Sequence, residues 1–463
     1  MVAAAVSLLA PLGGGAVSRL PAAMPSGDSA RSFPLQAILR ASDAQADDYF
    51  GQAVAIEGTL AVVGAHGEDG GPDDLLPYAG AAYVFERDET GASRWGQVRK
   101  LTASDAQQGD RFGISVAISG DFAIVGATDE DGPEDSIPGA GAVYVFYRHQ
   151  GGPSNWGQTQ KLTAPNAGTG DEFGYSVAID GNTAVVGAPY EDGGPGDPNS
   201  GAGAAYVFQN SGGGSWIHVK TLRPSDAHWE DWFGTSVAIS GDVTIVGAYG
   251  EDGGAGDLIH DAGAAYVFKR DEDGASQWGE LEKLVASGAG ENDYFGSSVA
   301  ISGTRAVIGA HGEDGGRNDP VFDAGAAYLF EDVSGSGWTQ IRMLKATDAQ
   351  AGASLGISVA ISGEVVLVST PFAHVGPGTA LPAAGVAYVY LRNLGGTDSW
   401  GQAKRLIAPD AAPGDYFGAS VAVSGRHVVV GAYTENGGLG DPLTDAGAAY
   451  VFYVSLLEAF KAN

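Results

Sequence analysis

Carboxylates recur in this sequence at a fixed spacing inside glycine-rich stretches. A Glu is followed directly by Asp or Asn, then by two glycines, with a further Asp six positions after the Glu. The pattern gives Glu68, Asp69 and Asp74; Glu191, Asp192 and Asp197; Glu251, Asp252 and Asp257; Glu313, Asp314 and Asp319; and Glu435, Asn436 and Asp441. A looser copy holds Glu130, Asp131 and Asp135. Calcium takes ~6–8 oxygen ligands, and carboxylates spaced along a loop with free carbonyls between them are donors of that kind. The same residues also suit a solvated turn, because Asp, Asn and Gly permit sharp backbone bends. No motif requires a cofactor; calcium is the ion these loops would fit.

A second acidic position lies two residues before a repeated Phe-Gly pair: Asp48, Asp110, Asp171, Asp231, Asp293 and Asp415. A side chain there caps a turn by accepting backbone N–H groups, and its repetition points to that structural task. Ligand recognition is better sought where the copies differ. The residue before the Phe-Gly pair is Tyr49, Arg111, Glu172, Trp232, Tyr294, Ser354 or Tyr416, and Trp229 is unique to its loop. The residue after a repeated Gly-Ala pair is His66, Thr128, Pro189, Tyr249, His311 or Tyr433. Aromatic rings among carboxylates suit a sugar, a cationic group or a protein; ordinary loop packing is the alternative. Trp229, Trp232, Tyr49, Tyr294, Tyr416, Tyr249 and His311 are therefore the candidate ligand-binding residues.

Other chemistries are excluded or unsupported. The chain has no cysteine, which removes disulfides, thiolate metal sites and thiol catalysis. The H-E-x-x-H signature does not occur. A carboxylate pair acting on a carbohydrate stays open on residue type alone, as does a purely structural spacer. With 56 acidic against 24 basic residues, the net charge of -32 opposes nucleic acid and anionic membranes. No run approaches the ~18 apolar residues of a membrane span. Residues 1–32 read as a leader, either a secretory signal or a disordered segment.

The elements that position these loops follow from a repeat. Phe-Gly pairs stand at Phe50, Phe112, Phe173, Phe233, Phe295 and Phe417, and Leu355-Gly356 fills the one gap. Successive glycines are 62, 61, 60, 62, 60 and 62 residues apart. Each unit reads as four strands: "SVAIS", a two-residue turn, "AIVGA", the acidic loop, "AGAAYVF", a second loop, and a strand opening on Trp. The Trp positions are Trp95, Trp156, Trp216, Trp278, Trp338 and Trp400, with Phe33 standing in the first. Seven such units predict an all-β, seven-bladed propeller of antiparallel strands. The chain opens on an orphan fourth strand and its last copy lacks one, so the N-terminal strand is expected to complete the last blade and close the ring. Residues 33–453 then form one propeller and 454–463 a tail. Alternation of strand direction brings the acidic 2–3 loops and the 4–1 loops to one face.

These units resemble the FG-GAP repeat of the integrin alpha-chain propeller and of many bacterial surface or secreted proteins. The matching residues are Phe173-Gly174, Gly187-Ala188-Pro189 and "GAAYVF" from Gly203. The resemblance implies a secreted or surface-displayed, non-catalytic binding or adhesion module. Integrin-type repeats often carry a DxDxDG-like calcium loop between the first two strands; here that connection is a two-residue turn, so the site does not transfer. The expected partner is a protein or glycan held by the acidic face, and the ring is expected to be a monomer.

Overall fold

The computed structural model describes residues 33–70, 75–88, 94–132, 136–192, 199–212, 214–252, 259–274, 277–314, 321–333, 335, 337–377, 380–436 and 443–455. The leader assigned to 1–32 and the tail beyond 455 lie outside them. The described residues form seven four-stranded antiparallel sheets, and no α-helix occurs among them. In six sheets the four strands follow chain order. The seventh is built from Val421–Ser424, His427–Ala432 and Ala448–Tyr453, with Leu35–Leu39 as its outermost strand. Leu39 pairs with Ala449 and Leu35 with Phe452 across a bulge. The ring therefore closes on the N-terminal strand, as the orphan-strand count requires. Val454 is fully buried and its N–H donates to the Arg426 carbonyl, so the last blade runs one residue past the expected end.

Local sequence accounts for each blade. The inner hairpins turn on two residues whose first is glycine with positive φ, such as Gly58 at 58° and Gly181 at 55°, the position a type II′ turn assigns to glycine. Second strands such as Leu60–Ala65 are buried along their whole length, which explains their unbroken apolar runs. The Phe of each Phe-Gly pair is fully buried and meets two rings of its own third strand. Phe50 lies 5.6 Å from Tyr83 and 5.9 Å from Phe85. Trp216 packs with Ile124, Val143 and Val145 of blade 2 and Val186, Tyr206 and Phe208 of blade 3, wedged between the two sheets. Each such ring buries ~150–250 Å², so these tryptophans are core.

Near the axis, neighbouring blades approach so closely that a side chain is excluded. A Cβ on Gly247 would stand 1.9 Å from the Gly296 carbonyl oxygen of the next blade. Serine hydroxyls lock the same contact: Ser115 donates to the Gly174 carbonyl at 2.6 Å, and Ser420 to that of Gly51 at 2.8 Å, across the closure. The degenerate sixth unit repacks this arrangement. Leu355 replaces the Phe, and Tyr390 replaces the usual third-strand Phe, with its hydroxyl bonded to the Lys345 carbonyl at 2.8 Å. Ser369 stands where the other blades have the close-packed glycine, and Ser358 instead accepts the Val421 N–H at 3.1 Å.

Candidate functional site

The 2–3 and 4–1 loops share one face, and two kinds of site emerge there. The first is the acidic set. Glu68, Glu191, Glu251 and Glu313 are only 2–3% exposed. Glu68 is bonded by Lys100, Glu191 by Arg223 at 2.8 Å and Glu251 by Lys283. The bases stand on the fourth strand of the same blade, and Lys100 and Lys283 also reach Asp43 and Asp226 on the 4–1 loops. Glu68, Glu191 and Glu251 thus face inward, each neutralised by an ammonium or guanidinium group. The following acid turns back on its own loop. Asp69 accepts the N–H of Tyr78, Asp192 that of Gly201, Asp252 that of Asp261 and Asp314 that of Asp323, at 2.9–3.2 Å. Asp74, Asp197, Asp257 and Asp319 lie outside the described residues. Asp252, His260 and Asp261 bring one ligand atom each within 4.8 Å of one another.

The acids two residues before Phe do cap their turns. Asp48 is 2% exposed and accepts the Gln45 N–H at 2.7 Å; Asp231 does the same for His228 at 2.6 Å. Burial pushes the Asp48 carboxyl up to about 7, against the pull of the Gln45 N–H and with a further push from Glu68. Asp415 is likewise raised to about 7 by burial. A carboxyl raised in the folded state holds a proton there that the unfolded chain releases. Its stabilising contribution is full near pH 4 and falls as pH rises towards 7. Asp48→Asn keeps an acceptor for Gln45. We expect its melting temperature to match the parent's near pH 4 and to exceed it increasingly up to pH 7.5; a pH-independent difference in thermal melts would refute the assignment.

The second set is a collar of side chains where the 4–1 loops enter the first strands. The residue before every Phe-Gly pair has positive φ, from 50° at Tyr416 to 58° at Ser354, although none is glycine. This costs ~1–2 kcal/mol per residue. It turns the side chain toward the residue that follows the second strand. Tyr49 stacks on His66 at 5.2 Å, Tyr294 on His311 at 5.0 Å and Tyr416 on Tyr433 at 5.7 Å, while Trp232 leans on Tyr249 at 4.9 Å. Edge contacts link blades: Tyr433 with Tyr49, Tyr416 with Phe372, and Tyr249 with Tyr294. Two aromatic arcs result, one over blades 6, 7 and 1 and one over blades 4 and 5. Between the arcs, blade 3 holds an edge-on pair, Tyr175 with Tyr190 at 6.2 Å, and charged groups stand beside it. Arg111 pairs with Asp129 at 3.1 Å, and burial, aided by Asp129, raises Glu172 to about 7.

These rings are less open than the sequence implies. Tyr49, Trp232, Tyr294, Tyr416 and His311 are half-buried, and Tyr249 is buried under Trp232. Burial lowers His66 and His311 to about 4, so both are neutral at pH 7. Trp229 alone of the seven candidates is exposed, at 53%, and it has no ring contact among those above. Phe372, Tyr175 and Tyr190 escaped the sequence reading. Prolines Pro189 and Pro371 occupy the expected position after the second strand, and the aromatic residue follows one place later.

No helix among the described residues is long and apolar enough to cross a membrane. No curated protein matches the chain. The FG-GAP repeat model matches seven times, over residues 33–85, 95–146, 156–208, 216–268, 278–330, 338–390 and 400–452. Each match starts on the fourth strand of one blade and ends on the third strand of the next, the offset that lets the first strand close the ring. On seven matched repeats and the seven-bladed ring they build, the chain belongs to the FG-GAP repeat family.

Proposed function

We propose that this propeller is a non-catalytic binding module, secreted or surface-displayed, that holds a protein or glycan on the face bearing the aromatic collar. The observation that supports it most is the pairing of a costly backbone conformation, kept in all seven blades, with side chains that differ from blade to blade. The backbone is common property of the repeat; the Tyr, Trp, His, Arg and Glu it presents are not. Trp, Tyr and Arg are the residues that concentrate binding energy at interfaces. Exposed Trp229 adds a ring at the edge of the blade 4 arc.

Screening on a glycan array, with pull-down for protein ligands, tests this. Trp229→Ala and Trp232→Ser are the informative variants, because Ser354 already fills the position of Trp232 in blade 6. Each is expected to cost about 2 kcal/mol of binding, roughly thirtyfold in Kd, without lowering the melting temperature by more than a few degrees. Parent-like affinity in both would remove the collar from the reading, and turnover of any polysaccharide would overturn the non-catalytic assignment. Calcium is not required in this reading, because Glu68, Glu191 and Glu251 are bonded to bases. Adding 5 mM EDTA, or about 1 mM calcium, is therefore expected to leave Kd unchanged. A calcium-dependent Kd lost in Asp252→Asn would make the acidic loops a metal site.

A further inference from the structure

The opposite face, formed by the 1–2 and 3–4 loops, holds a cleft between blades 2 and 3. Its volume is about 540 Å³, within the ~300–1,000 Å³ of small-ligand sites. Phe122 and Tyr147 form one apolar wall, with ring centres 5.1 Å apart. Phe122 is braced from behind by buried Trp216, whose ring meets it edge-on at 5.5 Å. Asp121, Gln150, Thr159 and Asn182 supply polar groups to the same cleft. The wall has one counterpart, at the closing junction, where His427 and Tyr453 pack at 5.2 Å. The position of Phe122 is Leu60, Thr183, Val243, Arg305, Val365 or His427 in the other blades.

A plug seen at three other junctions is missing here. In blades 1, 2 and 4 an arginine at the end of the third strand reaches back across the junction to the preceding blade. Arg87 bonds His427 at 3.0 Å, Arg148 bonds Glu86 at 2.6 Å and Arg270 bonds Thr183 at 2.9 Å. In blade 3 that residue is Asn210, which is shorter, and its side-chain oxygen accepts the Gly212 N–H at 2.9 Å. Phe122 and Tyr147 are left partly exposed beside the cleft.

We propose that this cleft is a second binding site, for a neutral saccharide. A sugar ring lays its C–H face on an aromatic wall while its hydroxyls bond amide, hydroxyl and carboxylate groups. A cationic ligand fits less well, because the Asp121 charge is met by Arg148 and, when protonated, His149, both at 3.8 Å. The site is distinct from the collar, which lies on the other face.

Saturation-transfer NMR of the full chain with maltose, cellobiose, lactose and chitobiose tests the proposal. At least one is expected to show transfer to the sugar. The decisive variant is Asn210→Arg, which installs the plug seen in blades 1, 2 and 4 and is expected to fold, since arginine stands there in blades 1, 2, 4 and 6. It should reduce binding about tenfold or more, and Asn182→Ala should weaken it, whereas Trp229→Ala should not. No transfer to any of the four sugars, or transfer that persists in Asn210→Arg, would overturn the site. Loss in Trp229→Ala but not in Asn210→Arg would place the sugar on the collar instead.

Discussion

A variant lacking residues 33–39 is expected to lose its cooperative unfolding transition. That strand is the outermost of blade 7 and pairs with Ala448–Tyr453. It also buries Phe33, 8% exposed, between blades 6 and 7, and Leu39, 2% exposed, between blades 7 and 1. Losing two large apolar side chains costs about 1.5–3 kcal/mol each. The unpaired third strand adds to this by exposing a sheet edge and the Phe452 and Tyr450 rings. The sum is comparable with the ~5–15 kcal/mol that holds a typical domain together. Calorimetry should therefore show a broadened or absent transition, and size-exclusion chromatography should show association through the bared edge. Moving residues 33–39 to follow Val454 on a short linker is expected to restore both. A deletion variant that melts like the parent would mean that closure contributes little.

Gly247→Ala is the point substitution expected to do most damage. The φ of Gly247 is not in the left-handed region, so backbone preference does not require glycine there. The neighbouring blade does. A Cβ would stand 1.9 Å from the Gly296 carbonyl oxygen and 2.4 Å from the Ser236 hydroxyl. Ser236 itself donates to that carbonyl at 2.8 Å, so the methyl group would break the lock as well as clash. Overpacking costs ~1–3 kcal/mol where side chains can shift; here a backbone must move, and we expect about 3 kcal/mol or more. Gly241→Ala is the control. Gly241 lies at an exposed hairpin turn with φ of 59° and open space around its Cβ, and should cost about 1 kcal/mol. Equal losses in urea unfolding would show that conformation, not blade approach, selects glycine on the second strand.

Much of this was legible because a propeller is a repeat. The period of the Phe-Gly pairs gave the blade count, and "SVAIS", a two-residue turn and "AIVGA" marked the first hairpin of each blade. Phe33 in a Trp position announced the closing strand. The acidic loops were harder. Glu68 and Asp69 look alike as donors in sequence, yet one is buried on Lys100 and the other bonds its own loop. Lys100 is 32 residues from Glu68, and no local pattern connects them. The collar was half visible: the variable positions were found, but not that stacking within each blade would partly cover them.

The sequence by itself determined the architecture, because hydrophobic period, turn glycines and the repeat length are local properties that seven copies state independently. It also determined what the chain lacks, such as thiols and the integrin-type calcium loop. Tertiary structure decided which charges are available. Burial and ion pairing depend on groups some thirty residues apart that the blade brings together, and they withdrew Glu68, Glu191 and Glu251 from the surface. It likewise decided where a cleft opens: Asn210 in place of arginine is an unremarkable difference in the sequence, and becomes a site only beside Phe122 and Tyr147 of the adjoining blade.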